Sequence, residues 1–276
     1  MLKNIAAFLF LLLILGISYA GTVKLNGACN SLLVNNSIIF SLSNKGNDTA
    51  YNLFISPVIH GATPINSSFS FNALAPGDTI TLNAKLTNFG LNGTYAEEFI
   101  VSYQQGFSSF TAIFPCLVSI GKPTISPING TVTATPQEKF TIVNVSLFNA
   151  GSGDITGNLY LMVPPTFTFL SSKNYTFNLS PHSTQNFTFE VASKPGMSTY
   201  SVAAVASFEQ DKLHYTSMAI FSIGPYSSPK GISLSGLSTV EIAIILVALI
   251  IVILLAIVLR SILRKNKPKS KKRTSH

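Results

Sequence analysis

From residue 21 to about 235 the chain alternates apolar and polar positions in short runs. Ile38, Phe40 and Leu42 share one parity; so do Ile80, Leu82 and Leu86, then Phe99, Val101 and Tyr103, then Phe110, Ala112 and Phe114. Farther along, Val143, Val145 and Leu147 follow the same rule, as do Phe187, Phe189 and Val191. Successive side chains of a strand point to opposite faces, so each run predicts a strand with one face in a core and the other in water. Asn-x-Gly, Pro-Gly and Gln-Gly elements separate the runs as turns. No stretch of this region sustains the period of a helix. The pattern predicts an all-β fold built from short antiparallel strands.

The periodicity fails at both ends, where the apolar residues become continuous. Met1–Ala20 reads as a signal peptide: Lys3 supplies the positive start, Ile5–Ile17 the apolar core, and Ser18-Tyr19-Ala20 a small-x-small cleavage site. Its core is too short for the hydrocarbon layer, which argues against an uncleaved anchor. Val240–Leu259 is different. As a helix its 20 residues span about 30 Å, the thickness of a bilayer core. Eight Lys or Arg residues follow from Arg260 onward with no acid among them, which sets the end at 260–276 in the cytoplasm and the N-terminal region outside. A Ser/Gly/Pro-rich stem over 226–239 joins that helix to what precedes it.

The middle of the chain matches itself at an offset of about 105 residues. Ser41-Leu42-Ser43-Asn44-Lys45-Gly46 answers Ser146-Leu147-Phe148-Asn149-Ala150-Gly151, and Ala73-Leu74-Ala75-Pro76-Gly77 answers Asn178-Leu179-Ser180-Pro181-His182. Two copies of one domain are expected, over 21–121 and 122–225. About seven short strands per copy predict two tandem immunoglobulin-like antiparallel β-sandwiches. The Asn-x-Gly turn, Ala50-Tyr51-Asn52-Leu53, Leu74-Ala75-Pro76-Gly77-Asp78 and Gly93-Thr94-Tyr95 resemble the CARDB-like group of immunoglobulin-fold, adhesion-related repeats of archaeal and bacterial surface proteins, some of them S-layer-domain-like. The second copy keeps Asn149-x-Gly151, Leu179-x-Pro181 and Gly196…Tyr200, with His182 where the first has Gly77. The resemblance implies a surface or adhesive role. The Gly…Tyr elements suggest that Tyr95 or Tyr200 bonds back to the backbone as a tyrosine corner does.

Charge then changes the picture. The net charge is +8, yet residues 21–239 hold nine lysines and nine acids, so the excess belongs to the two ends and a nucleic-acid-binding face is not expected. Cys29 and Cys116 fall near the first and last strands of the first copy; a disulfide fits the oxidising exterior, two free buried thiols being the alternative. Nine Asn-x-Ser/Thr sequons are glycosylation candidates: Asn35, Asn47, Asn66, Asn92, Asn129, Asn144, Asn174, Asn178 and Asn186. The parity of Asn144 and Asn186 turns them away from the core.

Catalytic equipment is hard to find. His60, His182 and His214 stand far apart in the chain, and Glu97-Glu98 point to opposite faces of a strand. Asp78 has Ser183 as its counterpart, so a calcium site there lacks support. No metal, cofactor or catalytic motif is expected. The reading is a non-catalytic, single-pass surface protein that meets the bilayer and other envelope proteins or glycans. The alternatives are an accessory ectodomain in a translocation, glycosylation or secretion complex, and a surface enzyme or solute receptor. The sequence sets no oligomeric state.

Overall fold

The alternating runs fold as strands in a computed structural model that describes residues 21–192 and 200–224, together with Val247 and Ile251. The leader Met1–Ala20, the stem, the basic tail and the apolar span, apart from the helical Val247 and Ile251, lie outside the described residues. Among those described, no helix is long and apolar enough to cross a membrane. The fold is all-β. The first eight strands are β1 (Leu25–Cys29), β2 (Ser37–Asn44), β3 (Ala50–Val58), β4 (Thr63–Pro64), β5 (Phe69–Leu74), β6 (Thr79–Thr87), β7 (Asn92–Gln105) and β8 (Ser108–Ile120). The next eight are β9 (Ile128–Pro136), β10 (Thr141–Asn149), β11 (Ile155–Met162), β12 (Thr168–Phe169), β13 (Asn174–Leu179), β14 (Thr184–Ala192), β15 (Tyr200–Gln210) and β16 (Leu213–Ile223).

Both sets of eight pair in the same way. In the first, β1-β2-β6-β4 make one sheet and β5-β3-β7-β8 the other; in the second, β9-β10-β14-β12 face β13-β11-β15-β16. Pairing between the strands of each set is antiparallel. Each set closes its own core. Ile38, Phe40, Leu42, Leu82, Phe99 and Val101 are buried in the first, where the Phe40 and Phe99 rings stack at 4.1 Å. Val143, Val145, Leu147, Phe187, Phe189 and Val191 fill the second. The parities read from the sequence are the ones that point inward. On β8 the expected inward residues Phe110, Ala112 and Phe114 are only half-buried, while Ile113, of opposite parity, is buried. That strand is covered on both faces.

The repeated motifs are one hydrogen-bonded device used twice. Asn44 is fully buried: its Oδ1 accepts from the Gly46 amide at 2.9 Å, and its Nδ2 donates to the carbonyls of Asp48 and Leu74 at 2.7 and 3.0 Å. Asn149 repeats this with Gly151 at 2.8 Å, Gly153 at 2.8 Å and Leu179 at 3.1 Å. The Asn-x-Gly turn is thereby stapled to the strand before the Pro-Gly or Pro-His turn. That second turn needs a left-handed residue, and both Gly77 (φ 84°) and His182 (φ 56°) supply one.

Cys29 and Cys116 form a disulfide with their Cα atoms 6.2 Å apart. It links β1 of one sheet to β8 of the other and so closes the first sandwich.

Candidate functional site

The two sandwiches meet along their β7–β8 and β15–β16 hairpins. The start of β7 lies alongside the start of β16 in a short parallel pairing, Asn92 with Leu213 and Gly93 with His214. Only glycine permits it: Gly93 has φ +147°, and a Cβ there would fall 2.0 Å from the His214 carbonyl oxygen. Thr124, in the connection between the sandwiches, completes the clamp. Its hydroxyl donates to the His214 carbonyl at 2.6 Å and accepts from the Thr94 amide at 3.0 Å, while the Thr94 hydroxyl donates to the Thr124 carbonyl at 2.9 Å. Above this seam Ala96, Ile113, Met162, Ala203 and Val205 form a third apolar cluster shared by both sandwiches.

Beside the cluster opens a cleft of about 820 Å³. The first sandwich supplies His60, on the β3–β4 connection, and Tyr95, on β7; the second supplies Asn158 and Tyr160 from β11, Asn174 from β13, Ser207 and Glu209 from β15, and His214 from β16. Tyr95 is held in place at both ends. Its hydroxyl donates to the Leu91 carbonyl at 2.8 Å, the tyrosine-corner bond anticipated for it, and its ring stacks on His214 at 3.9 Å and 2°. For Tyr200 the ring meets Phe167 edge-on at 5.3 Å.

Two carboxyl groups sit beneath the cleft in opposite environments. Glu97, at 1% exposure, points into the first sandwich, where its oxygens accept from the amides of His60 at 2.6 Å and Gly61 at 3.1 Å. Burial nevertheless outweighs those bonds and pushes its pKa up to about 7, with the Glu98 charge adding to the effect. Glu98 faces the other way, and its Oε2 is buried with no hydrogen-bond partner among the described residues. Burial raises it to about 7 as well. Burial, then the Glu97 and Glu98 charges, hold the Tyr160 hydroxyl well above its ordinary range. His60 is lowered by burial, and His214 is lowered by burial against a smaller opposing pull from Glu209, whose oxygen lies 3.9 Å from His214 Nδ1. Both imidazoles are therefore neutral near pH 7.

Of the three histidines that stand far apart in the chain, two share this cleft; His182 remains in its turn. Asp78 is on the corresponding turn of the first sandwich, and among the described residues no three His, Cys, Asp or Glu side chains could hold a metal ion. The nine sequon asparagines are all exposed. Asn129, Asn144 and Asn186 share the outer face of β9-β10-β14, where Thr188 Oγ1 donates to Asn144 Oδ1 at 2.8 Å, and Asn174 lines the cleft. Tyr160, Asn158, Ser207 and Glu209 were not singled out by motif or spacing. A signal existed for the carboxylates: at the repeat offset Glu97-Glu98 stand opposite Val202-Ala203, both fully buried, so the fold does not require acids there.

No family model matches this chain, and no curated protein matches it. Among solved structures, Salmonella α2-macroglobulin is 11% identical with a TM-score of 0.32, over 74% of this chain and 16% of the macroglobulin. The YadV chaperone is 12% identical with a TM-score of 0.27, over 72% of this chain and 99% of the chaperone. A chain of the CsuC–CsuE chaperone–tip adhesion subunit pre-assembly complex of Acinetobacter baumannii is 11% identical with a TM-score of 0.28, over 75% of this chain and all of the other. This chain thus spans about a sixth of the length of the first macroglobulin.

Proposed function

We propose that the protein is a membrane-anchored cell-surface module, non-catalytic, whose two immunoglobulin-like sandwiches engage other envelope proteins or glycans. The observation that carries this reading is a pair of sandwiches of one topology, docked side by side, the first closed by the Cys29–Cys116 disulfide. Such cross-links persist outside the reducing cytoplasm, which suits a domain exported by the leader pattern at Met1–Ala20. The apolar span Val240–Leu259 with its basic flank suits a single-pass anchor with the sandwiches outside. The exposed sequon asparagines suit a surface that carries glycans, and the Asn-x-Gly and Pro-Gly elements suit a CARDB-like, S-layer-associated repeat.

The test is protease shaving of intact cells combined with purification in mild detergent. Cleavage of the sandwiches by external protease, protection of the basic tail, and co-purification of lattice or adhesion proteins are the expected results. Recovery of a stoichiometric membrane machine would instead make the chain an accessory ectodomain. A protected ectodomain would overturn the surface assignment, and a partnerless monomer the interaction role.

A further inference from the structure

We infer that the cleft between the two sandwiches is a binding site for an uncharged glycan of one or two sugar rings. The inference rests on the reading of the chain as a surface interaction module. Three properties of the lining point to sugars. The cleft offers aromatic surface from Tyr160 and His214, and the C–H faces of a sugar ring pack against such rings. It also offers side chains able to bond paired hydroxyls. Asn174 and Ser207 have no side-chain hydrogen bond among the described residues, and Glu209 is exposed, 3.9 Å from His214 Nδ1. An amide both donates and accepts, and a carboxylate accepts from two hydroxyls, which is how adjacent sugar hydroxyls are read. Finally, no Lys or Arg lines the cleft and both histidines are neutral, so nothing attracts a phosphate, sulfate or carboxylate ligand.

Its size agrees. A cleft of about 820 Å³ with convergent polar groups falls within the range of small-ligand sites. A peptide added as a strand would need a free sheet edge, and of the strands that line the cleft β7, β11, β15 and β16 lie inside the sheet order, with β13 alone at its end. Because His60 and Tyr95 come from one sandwich and Asn158, Tyr160, Asn174 and Glu209 from the other, the site exists only while the two are docked. Two sources present the same chemistry: a glycan of another surface molecule, and a glycan carried on Asn174 itself, the sequon asparagine on the cleft wall.

The experiment uses the full chain in detergent, prepared with and without glycosylation, with mannobiose, N,N′-diacetylchitobiose and lactose as neutral probes and sialyllactose as the anionic control. The unglycosylated chain is expected to bind at least one neutral probe and not the anionic one. Tyr160→Ala and Asn158→Ala each weaken binding by about tenfold or more, while Asn144→Gln, on the opposite face, leaves it unchanged. Asn158 is exposed, so its replacement tests the site even if Tyr160→Ala disturbs the fold. If the glycosylated chain binds nothing and Asn174→Gln restores binding, the resident glycan is the occupant; if it binds as well as the bare chain, the ligand belongs to another molecule. Absence of neutral-sugar binding to the unglycosylated chain, or binding that survives both cleft substitutions, overturns the inference. Co-purification of envelope partners by the Asn158→Ala chain would show that the surface-module reading stands without it.

Discussion

A fully buried asparagine costs stability unless each of its polar atoms is used, and Asn44 and Asn149 use theirs on four backbone groups apiece. Asn149→Ala would strand the Gly151 amide and the Gly153 and Leu179 carbonyls away from water. The expected loss is about 2–4 kcal/mol, measured as a shift of the urea midpoint at unchanged slope. A loss below about 0.5 kcal/mol would mean that water replaces the side chain easily and that the turn is not stapled. His182 makes the complementary case. It occupies a left-handed conformation that its counterpart Gly77 reaches without steric cost. His182→Gly should therefore stabilise the second sandwich by about 0.5–1 kcal/mol, and a destabilised variant would show that the imidazole packs usefully in its turn.

At the level of elements, the disulfide ties together strands that the chain forms almost at opposite ends of one domain. With a separation of 87 residues, the bond removes much of the unfolded chain's freedom, about 4–5 kcal/mol in the entropic account. Replacing both Cys29 and Cys116 by Ala should split the melting of the chain, the first sandwich unfolding at a lower temperature than the second, which has no cysteine; calorimetry that keeps one transition at an unchanged temperature would contradict this. The strands themselves were legible because the period of two is a local signal: Ile38, Phe40 and Leu42, or Phe187, Phe189 and Val191, each declare a face without knowledge of their partners. The repeat made it legible that two copies pair alike, but which strand pairs with which was not read from it. The cleft was not legible. His60 and His214 are brought together by pairing of β7 with β16, a contact between repeats that leaves no trace in either strand's periodicity. Glu97 shares the inward parity of Phe99 and Val101, so its place inside the first sandwich follows the alternation, whereas the burial of Glu98 does not, because alternation cannot report that a second sandwich covers the outer face.

For the molecule as a whole, the buried carboxyls at the seam make stability depend on pH. Glu97 and Glu98 titrate near 7 when folded and near 4.5 when unfolded, so the folded state holds protons that the unfolded state releases. Their contribution is intact below about pH 4.5 and is lost as the pH rises toward 7. His60 and His214, lowered on folding, run the other way: their contribution is intact above pH 6.5 and is lost on acidification through their folded values. Glu98→Gln isolates one slope. It should raise stability at about pH 8 by up to about 3 kcal/mol and change it little at about pH 4. An equal effect at both would show that the carboxyl acts through shape and not charge.

The same seam decides whether the two sandwiches behave as one body. Their union depends on a backbone approach that only glycine allows, so Gly93→Ala places a methyl carbon 2.0 Å from the His214 carbonyl oxygen while the mutant backbone also resists φ +147°. Neither sandwich's own core includes that methyl, so both should stay folded while the β7–β16 pairing and the Thr124 clamp give way. Calorimetry is then expected to resolve two transitions in place of one, and the Leu213 and His214 amides should exchange faster with solvent by about tenfold or more. If instead the variant melts in one step with those amides still protected, the sandwiches are joined by the apolar cluster around Ala203 and Val205, and the glycine seam is a consequence of docking and not its cause.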